Sequence, residues 1–418
     1  MEEGEKLKPA VERAPRRTLA PMRRQALSIL RTLVLLAALA YTLVLARNTL
    51  LAWFDYGSHG VMRTDFALYY AFSRIGLTQG WASLYDLAAQ RRVYTTMPGL
   101  WWFPLPYTPP MAWLTAPLTA LPLQTAYWVW TSMIAAAFVA SWWLSSPQSP
   151  LLRALCLTAA LAPYLTLLGV ELGQFIVFEL AGVALALWFL KRGWPAAAGL
   201  SLLLIDIHPQ GFLLVPIALL MAAPRRALMS WLGGSAVLVA AAVVSLHFKG
   251  SEQYIGRLLW AERSPLDFAV AFSVDLPLMF HGRLLRLAVE TLVAAVAAVA
   301  IWRHRRTSTE LAFASALIGS ILVTSFIHLD DLMVLLLAAW ICLKAQPAWI
   351  LRPVVAAGAA IAILLDFDHV GPYGIYMVLF EVSWLIVLAL LPQPAIERST
   401  ERATRALQPE PSARLAAG

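Results

Sequence analysis

The side chains best suited to chemistry stand in short polar stretches between long apolar segments. Asp65 follows the first of these segments and lies in a stretch rich in aromatic residues. A carboxyl group beside apolar surface is partly shielded from water, which raises its pKa and makes it a usable general base. Thr64 and Asp65 are also good helix-capping types, so a cap for a helix starting at Phe66 is the competing interpretation. The two roles are compatible.

Two further polar stretches interrupt the apolar pattern. Gln174 ends the stretch Glu171–Gln174, and its amide offers a donor and an acceptor to a sugar hydroxyl or a phosphate. The alternative is a polar turn that merely joins two helices. His208 and Pro209 break an apolar segment, and broken helices at membrane depth are tolerated where they line a cavity, which His208 and Gln210 would then face. The alternative there is a proline kink with a satisfied histidine.

The remaining candidates are charged. His328, Asp330 and Asp331 crowd the mouth of an apolar segment, and ionisable groups placed there usually mark a site. The metal-binding signal is weak because no second histidine lies three or four residues away, so we expect no metal. Lys249 and Arg257 fall in a loop assigned below to the outer face, against the usual distribution of charge. They indicate an anionic ligand such as a lipid phosphate, or contact with anionic headgroups in general.

The composition indicates a membrane protein. Of the 418 residues, 60% are hydrophobic and 13% are charged, whereas a soluble domain averages about 25% charged residues. Apolar runs long enough to span a bilayer recur along the chain, and the alternation of a membrane β-barrel is absent. The net charge of +8 is explained by topology, so no nucleic-acid partner is expected. The two cysteines show neither disulfide nor metal spacing.

The pattern predicts an all-α polytopic membrane protein with about 10–12 transmembrane helices. We expect a disordered basic tail over residues 1–26, a transmembrane domain over 27–391 and a second disordered tail over 392–418. The predicted spans are 27–47, 124–144, 153–170, 173–190, 227–247, 284–302, 309–327, 331–346, 350–366 and 373–391, with a segment over 195–222 that is broken near its middle.

Two long loops are expected on one face. The first covers residues 48–108 and contains residues 65–80, whose aromatic spacing suits an amphipathic helix lying in the membrane interface. A short helix over 111–122 is expected to follow. The second loop covers residues 248–283.

The distribution of charge predicts the orientation. With the N-terminus inside, the short basic loops fall on the cytoplasmic side, as the positive-inside rule requires, and both termini are then cytoplasmic. The 48–108 loop, the 171–174 turn, the break at 208, the 248–283 loop and residues 328–331 fall on the outer face. The unusual polar residues therefore collect on one face, although the orientation was assigned from the basic loops alone.

Short motifs follow one another in order along residues 27–390. They are Thr64-Asp-Phe-x-x-Tyr-Tyr, Gly80-x-x-x-Leu-Tyr-Asp86, Pro106-Tyr-Thr-Pro-Pro110, Leu172-Gly-Gln174, Ile207-His-Pro-Gln210 and Phe248-Lys-Gly250. In order and spacing they resemble glycosyltransferase family 87. The members are integral-membrane mannosyltransferases of the GT-C class that depend on polyprenol-phosphate-mannose.

The resemblance implies a GT-C-like bundle in the cell membrane with its active site on the outer face. The protein would move a hexose, in the first instance mannose, from a polyprenyl-phosphate sugar donor to a glycolipid or glycan acceptor. Asp65 matches the family's catalytic acid and would take the proton of the acceptor hydroxyl, which attacks the anomeric carbon and inverts it. A phosphate leaves readily, so no cofactor or metal is expected.

The resemblance also implies how charge and aromatic rings would serve the substrates. Cations would stabilise the developing phosphate charge, while Tyr69 and Tyr107 would stack on sugar or line a lipid groove. His208 stands where the family usually has lysine, and with an unperturbed pKa of about 6.5 it carries charge only when protonated. The full predicted substrate-binding set is Tyr69, Tyr107, Gln174, His208, Gln210, Lys249, Arg257, His328 and Asp330.

Two other functions remain open at this point. A transporter or flippase for a lipid-linked or amphipathic solute would be expected to show inverted repeats with paired broken helices, and one broken segment is visible. A catalytically inactive relative would keep the fold without the activity. The enzyme hypothesis makes a geometric prediction: Asp65, Gln174, His208 and His328 converge on one outward-facing cavity.

Overall fold

Every regular element in the described part of the chain is a helix, which confirms the all-α class. The computed structural model describes residues 19–100, 103–104, 106–263, 276, 280, 282–324, 327–345, 348–365 and 370–392. The predicted second tail, most of the first tail and most of the loop after residue 263 lie outside these ranges. The α-helices are α1 (Leu19–His59), α2 (Asp65–Gln79), α3 (Leu87–Tyr94), α4 (Pro109–Thr115), α5 (Leu123–Ser145), α6 (Pro150–Leu161), α7 (Tyr164–Glu171), α8 (Ile176–Lys191), α9 (Pro195–Ser201), α10 (Val215–Ala222), α11 (Arg225–Arg263), α12 (Arg283–His304), α13 (Thr309–Val323), α14 (Met333–Lys344), α15 (Ala348–Leu364) and α16 (Val370–Leu390).

Several of these helices can cross a bilayer. Among the described residues, four are long and apolar enough, namely Arg23–His59, Leu123–Ser145, Arg225–Trp260 and Arg283–His304. The pair α6 and α7, bent by 67°, makes a fifth if it forms one span. Shorter apolar helices such as α13 accompany them. The multi-pass class is therefore confirmed, while the count of about 10–12 spans stays a prediction.

The first helix is longer than predicted. α1 begins at Leu19, inside the expected tail, and continues to His59, well past the expected end of the span at residue 47. Pro21 lies in the first turn, where proline is tolerated, and no further proline interrupts the helix before its end. The extension also has a packing partner, because the rings of Trp53 and Trp128 lie 5.7 Å apart. The segment predicted to be the first outer loop consequently starts near residue 60.

The predicted helix at 65–80 is present as α2, but its surroundings differ from the expectation. Burial on one face was expected, whereas residues from Phe66 to Phe72 are all buried, on every side of the helix. α3, α4 and the 3-10 turn Ala116–Ala120 pack against it. The loop thus folds over α2 and encloses it, and the expectation of one-sided burial is wrong.

The predicted second outer loop is partly helical. α11 runs from Arg225 to Arg263 and changes direction at His247, whose φ of 54° lies in the left-handed region. Residues 248–263 contain no proline, and the first one follows at Pro265, so the helix resumes after the break. Lys249 and Arg257 accordingly lie on a helix, which corrects the predicted loop at its first half.

The core surrounds the broken segment. α8 packs against α5 and α9, and α13 packs against α10, α12 and α14. Between them the chain passes through the 3-10 turns Leu202–Asp206 and Pro209–Phe212 before α10. Gly211 lies so close to α14 that a Cβ there would be 3.2 Å from Val334 Cγ2. The predicted break at His208 is confirmed, and it is held inside the bundle.

Candidate active site

The N-terminus of α2 decides whether Asp65 is needed as a helix cap. Thr64 is the N-cap, and its hydroxyl accepts a hydrogen bond of 3.1 Å from the backbone N–H of Ala67. The Thr64 hydroxyl also donates to the carbonyl of Val61 at 2.7 Å. Because Thr64 caps the helix, the Asp65 carboxylate is not needed for that purpose and points to other partners.

The turn from Glu171 to Gln174 is held against α2 by its backbone. The N–H of Phe66 donates to the carbonyl of Leu172 at 3.0 Å, and the indole of Trp130 on α5 donates to the carbonyl of Gly173 at 2.8 Å. Gly173 has a φ of 73°, and a Cβ there would lie 2.8 Å from Phe66 Cβ. Glycine is therefore required both by the left-handed backbone and by the close approach.

Gln174 connects the acid to an aromatic side chain. Its amide nitrogen donates a hydrogen bond to Asp65 Oδ2, and its amide oxygen accepts one of 3.1 Å from the hydroxyl of Tyr69. These two bonds fix which end of the amide faces Asp65. Tyr69 is 2% exposed, and its hydroxyl holds the Gln174 amide, while its predicted contact with a sugar stays a prediction.

The segment that contains Tyr107 and Thr108 connects Tyr69 to the broken helix at His208. The rings of Tyr69 and Tyr107 meet edge to face with centroids 4.8 Å apart. The next residue, Thr108, donates from its hydroxyl to the carbonyl of Ile207 at 2.6 Å. Tyr107 is half-buried and remains available to a ligand. The Thr108 bond fixes the backbone immediately before His208.

His208 faces an acid that the sequence analysis did not single out. Its Nδ1 lies 3.9 Å from Oε2 of Glu179, a fully buried residue on α8. The sequence signal for Glu179 was present, since a single carboxyl group inside an apolar run is costly and usually functional. Nothing is described of the Gln210 side chain, so its predicted place in the cavity stays a prediction.

The polar stretch from His328 to Asp331 completes the cluster around Asp65. His328 is exposed, whereas Asp330 and Asp331 are each 4% exposed. The backbone N–H of His328 donates to Asp331 Oδ2 at 3.0 Å. Asp331 is a second acid that the predicted substrate-binding set did not include. Burial, together with the neighbouring Asp331, raises the pKa of Asp330.

The charge state of Asp65 reflects the whole cluster. Burial raises its pKa to about 6, while His328, the hydrogen bond from Gln174 and His208 oppose the rise and Asp331 adds to it. The carboxyl is half-buried and keeps some access to the outside. A carboxylate with such a pKa is a base at neutral pH that can still be protonated in a catalytic step.

Lys249 and Arg257 lie in a different place. Arg257 lines a cavity of about 430 Å³ between the start of α3 and the end of α11, together with Tyr85, Asp86, Gln253 and Trp260. The pKa of Asp86 is lowered chiefly by the hydrogen bond from the Ala89 backbone N–H, and the positive charge of Lys249 lowers it further. One bond links this cavity to the cluster, from the Tyr85 hydroxyl to the Tyr107 carbonyl at 2.5 Å.

The structure thus brings most of the predicted site together. Asp65, Gln174, His208 and His328 belong to one electrostatic cluster, with Tyr69, Tyr107 and Asp330 joined to it. Arg257 lines the separate cavity instead, and Lys249 lies close enough to Asp86 to lower its pKa. No three His, Cys, Asp or Glu side chains of the described residues are grouped in a way that could hold a metal ion.

Comparison with known proteins supplies the family. No curated protein and no solved structure matches the chain. The sequence pattern of glycosyltransferase family 87 matches residues 105–328, just over half of the 418 residues. The matched range includes Gln174, His208 and His328 and begins after Asp65, which is tied to it by the hydrogen bond from Gln174. The chain belongs to glycosyltransferase family 87, and this membership implies a membrane glycosyltransferase.

Proposed function

We propose that the protein transfers a hexose, in the first instance mannose, from a polyprenyl-phosphate sugar to a glycolipid or glycan acceptor. The transfer takes place on the outer face of the cell membrane, with both termini in the cytoplasm. The observation that carries this proposal is the state of Asp65. Its carboxylate is free of a capping role, is oriented by Gln174 and has a pKa raised to about 6 by burial.

The chemical step follows from that state. Asp65 accepts the proton of an acceptor hydroxyl as the hydroxyl oxygen attacks the anomeric carbon of the donor. A new glycosidic bond forms, the bond between the anomeric carbon and the phosphate oxygen breaks, and polyprenyl phosphate leaves with the electron pair. Attack opposite the leaving group inverts the anomeric carbon. The Gln174 amide holds Oδ2, while Oδ1 accepts no hydrogen bond from the described residues and is left for the acceptor.

The leaving phosphate requires positive charge. His208 and His328 both lower the pKa of Asp65 through their charge, which supports a position for them near the reacting atoms. Preorganised cations stabilise the charge that develops on a leaving group. We assign the donor phosphate to these two histidines and the sugar to the half-buried face of Tyr107.

We assign Lys249 and Arg257 to the acceptor side. The cavity lined by Arg257 has aromatic side chains at Tyr85 and Trp260 and polar side chains at Asp86 and Arg257. Aromatic rings and charged or amide groups are the usual partners of a polar ligand in such a cavity. The bond from Tyr85 to Tyr107 connects this side to the proposed sugar position.

The test is transfer of radiolabelled mannose from polyprenyl-phosphate-mannose in membranes that contain the full chain. We expect transfer by the wild type and a loss of about 100-fold or more in Asp65→Asn, because general-base catalysis contributes about that factor. The matched control is Asp55→Asn, which removes an exposed acid near the end of α1 and should leave transfer unchanged.

Each contrary outcome has a separate meaning. Full transfer by Asp65→Asn would reject Asp65 as the base while keeping the donor. Absence of transfer by the wild type, with both mannose and other hexose donors, would favour an inactive relative or a transporter of lipid-linked solutes.

A further inference from the structure

Two helices in the described part of the chain carry a fully buried carboxyl group. Glu179 on α8 is 0% exposed and Glu381 on α16 is 1% exposed. Neither carboxyl oxygen of either residue has a hydrogen-bond partner among the described residues. An ionised carboxylate without a partner is costly in such surroundings, so each of these groups requires an explanation.

The two acids differ in their neighbours. Glu179 Oε2 lies 3.9 Å from His208 Nδ1, and that nitrogen is itself buried without a hydrogen-bond partner among the described residues. The distance is too long for a hydrogen bond and short enough for strong attraction between opposite charges. A neutral imidazole would leave both the buried nitrogen and the buried carboxyl uncompensated.

The other charged groups that act on His208 are also acidic. They are Asp331 and Asp330 in the 3-10 turn before α14, together with Asp65 at the start of α2. Glu179 is the nearest of these and the one that is fully buried. Asp330 and Asp331 are each 4% exposed and Asp65 is half-buried, so these three acids are less completely buried than Glu179. Of the four acids, only Glu179 lies within 4 Å of a His208 ring nitrogen among the described residues.

We propose that Glu179 is the counter-ion that keeps His208 positively charged, so that His208 can bind the phosphate of a polyprenyl-phosphate ligand. Glu179 is in this sense a positioning residue, since it acts through His208. The proposal rests on the proposed function, which assigns the donor phosphate to this end of the cluster. It explains how an imidazole can supply a lasting charge at a position next to apolar core.

The geometry of His208 supports a role toward a ligand. Its side chain is 25% exposed, although Nδ1 faces the buried acid. The preceding carbonyl, of Ile207, is fixed by the Thr108 hydroxyl at 2.6 Å. One edge of the His208 ring is therefore held by its attraction to Glu179, and the backbone before it is held by the hydrogen bond from Thr108. Its other edge remains available to a phosphate oxygen.

The experiment measures binding of polyprenyl phosphate to the detergent-purified full chain, with the corresponding polyprenol as the lipid without charge. We compare wild type, Glu179→Gln, His208→Lys and the double variant Glu179→Gln with His208→Lys. Glu179→Gln should bind polyprenyl phosphate about tenfold more weakly, because a charge-assisted contact is lost. Lysine carries its charge without help, so the double variant should bind as tightly as wild type.

Glu381→Gln is the matched control, since it also removes a buried membrane carboxyl without a hydrogen bond among the described residues. It should bind polyprenyl phosphate like the wild type. Unaltered binding by Glu179→Gln would overturn the inference and leave the proposed function in place. Weakened binding that His208→Lys does not restore would also overturn it, in favour of a purely structural Glu179. Absence of binding by the wild type would overturn the inference and the proposed donor together.

Discussion

Two aspartates in the segment after α1, Asp65 and Asp86, stand in opposite surroundings. Asp86 caps α3, where its carboxylate accepts hydrogen bonds of 2.8 and 3.0 Å from the N–H groups of Ala88 and Ala89. These bonds to the charged form lower its pKa. At Asp65 the capping role is taken by Thr64, and burial raises the pKa to about 6. The same side chain serves structure at one helix and is free for chemistry at the other.

The difference shows what makes an acid available for catalysis. Asp86 is bound to the backbone of its own helix, whereas Asp65 is bound to Gln174, which lies far away in the sequence. A long-range partner depends on the correct tertiary fold and can be tuned by the groups around it. Variants that disturb this partner should affect transfer far more than variants at Asp86.

Among the variants that disturb the partner of Asp65 without changing Asp65 itself, Gly173→Ala should have the largest effect. The new Cβ would have to occupy a left-handed backbone and would lie 2.8 Å from Phe66 Cβ. The turn must then move away from α2 and carry Gln174 off Asp65, and a displacement of about 1 Å can cost about 100-fold in rate. Mannose transfer per folded molecule measures this loss.

Gly193→Ala is the control for Gly173→Ala. Gly193 has a φ of 74°, and a Cβ added there would meet no atom within 4 Å, so alanine at this position carries the same backbone cost without the clash. A lowered unfolding temperature with unchanged transfer is expected. Equal loss of transfer in both variants would mean that backbone strain, and not the displaced turn, explains the result.

A smaller effect is expected from Gln174→Leu. This change removes the donor that stabilises the Asp65 carboxylate, and hydrogen bonds to charged groups are worth about 1.5–3 kcal/mol. Since the bond lowers the pKa of Asp65, its loss should move the acid limb of the transfer rate to higher pH by about one unit. The rate should therefore fall about twofold at pH 7 and about tenfold at pH 5.

Gln124→Leu provides the comparison for Gln174→Leu. Gln124 donates its amide to the carbonyl of Gly57 at 2.5 Å, at the packing of α5 against α1. The Gln124→Leu variant should lower the free energy of unfolding without moving the acid limb of the transfer rate. A shift of the acid limb in this variant, or none in Gln174→Leu, would contradict the assigned partner of Asp65.

The smallest effect is expected at Asp86. Asp86→Ala should lower the free energy of unfolding by about 1 kcal/mol, the usual cost of losing an N-cap, while Asp86→Asn should retain the stability because asparagine caps equally well. The acid limb of the transfer rate should stay in place in both variants. A displaced acid limb in Asp86→Asn would show that the two aspartates are not separate in function.

Much of the frame could be predicted from the sequence, because membrane thickness and proline impose local rules. The break at His208 was predicted from the proline that follows it, and the helix at 65–80 from its spacing. The convergence of Asp65 with Gln174 was predicted from the distribution of charge between the two faces. These inferences need no knowledge of how helices pack.

The remainder depends on packing. One-sided burial of α2 was the wrong expectation because residues 87–120 fold back over it, which no local pattern reveals. The placement of Arg257 beside Asp86 rather than Asp65 follows from the renewed helix after His247. The pairing of Glu179 with His208 joins α8 to the break before the 3-10 turn Pro209–Phe212, and only the folded chain brings the two side chains within 3.9 Å.

The most direct measurement of the central claim is the pH dependence of mannose transfer by wild type and Asp65→Asn. A general base works in its ionised form, and the Asp65 carboxyl is protonated below its pKa of about 6. Wild-type transfer should therefore rise as the pH increases through about 6, and Asp65→Asn should show a small residual rate without that rise. The same rise and a full rate in Asp65→Asn would contradict the account.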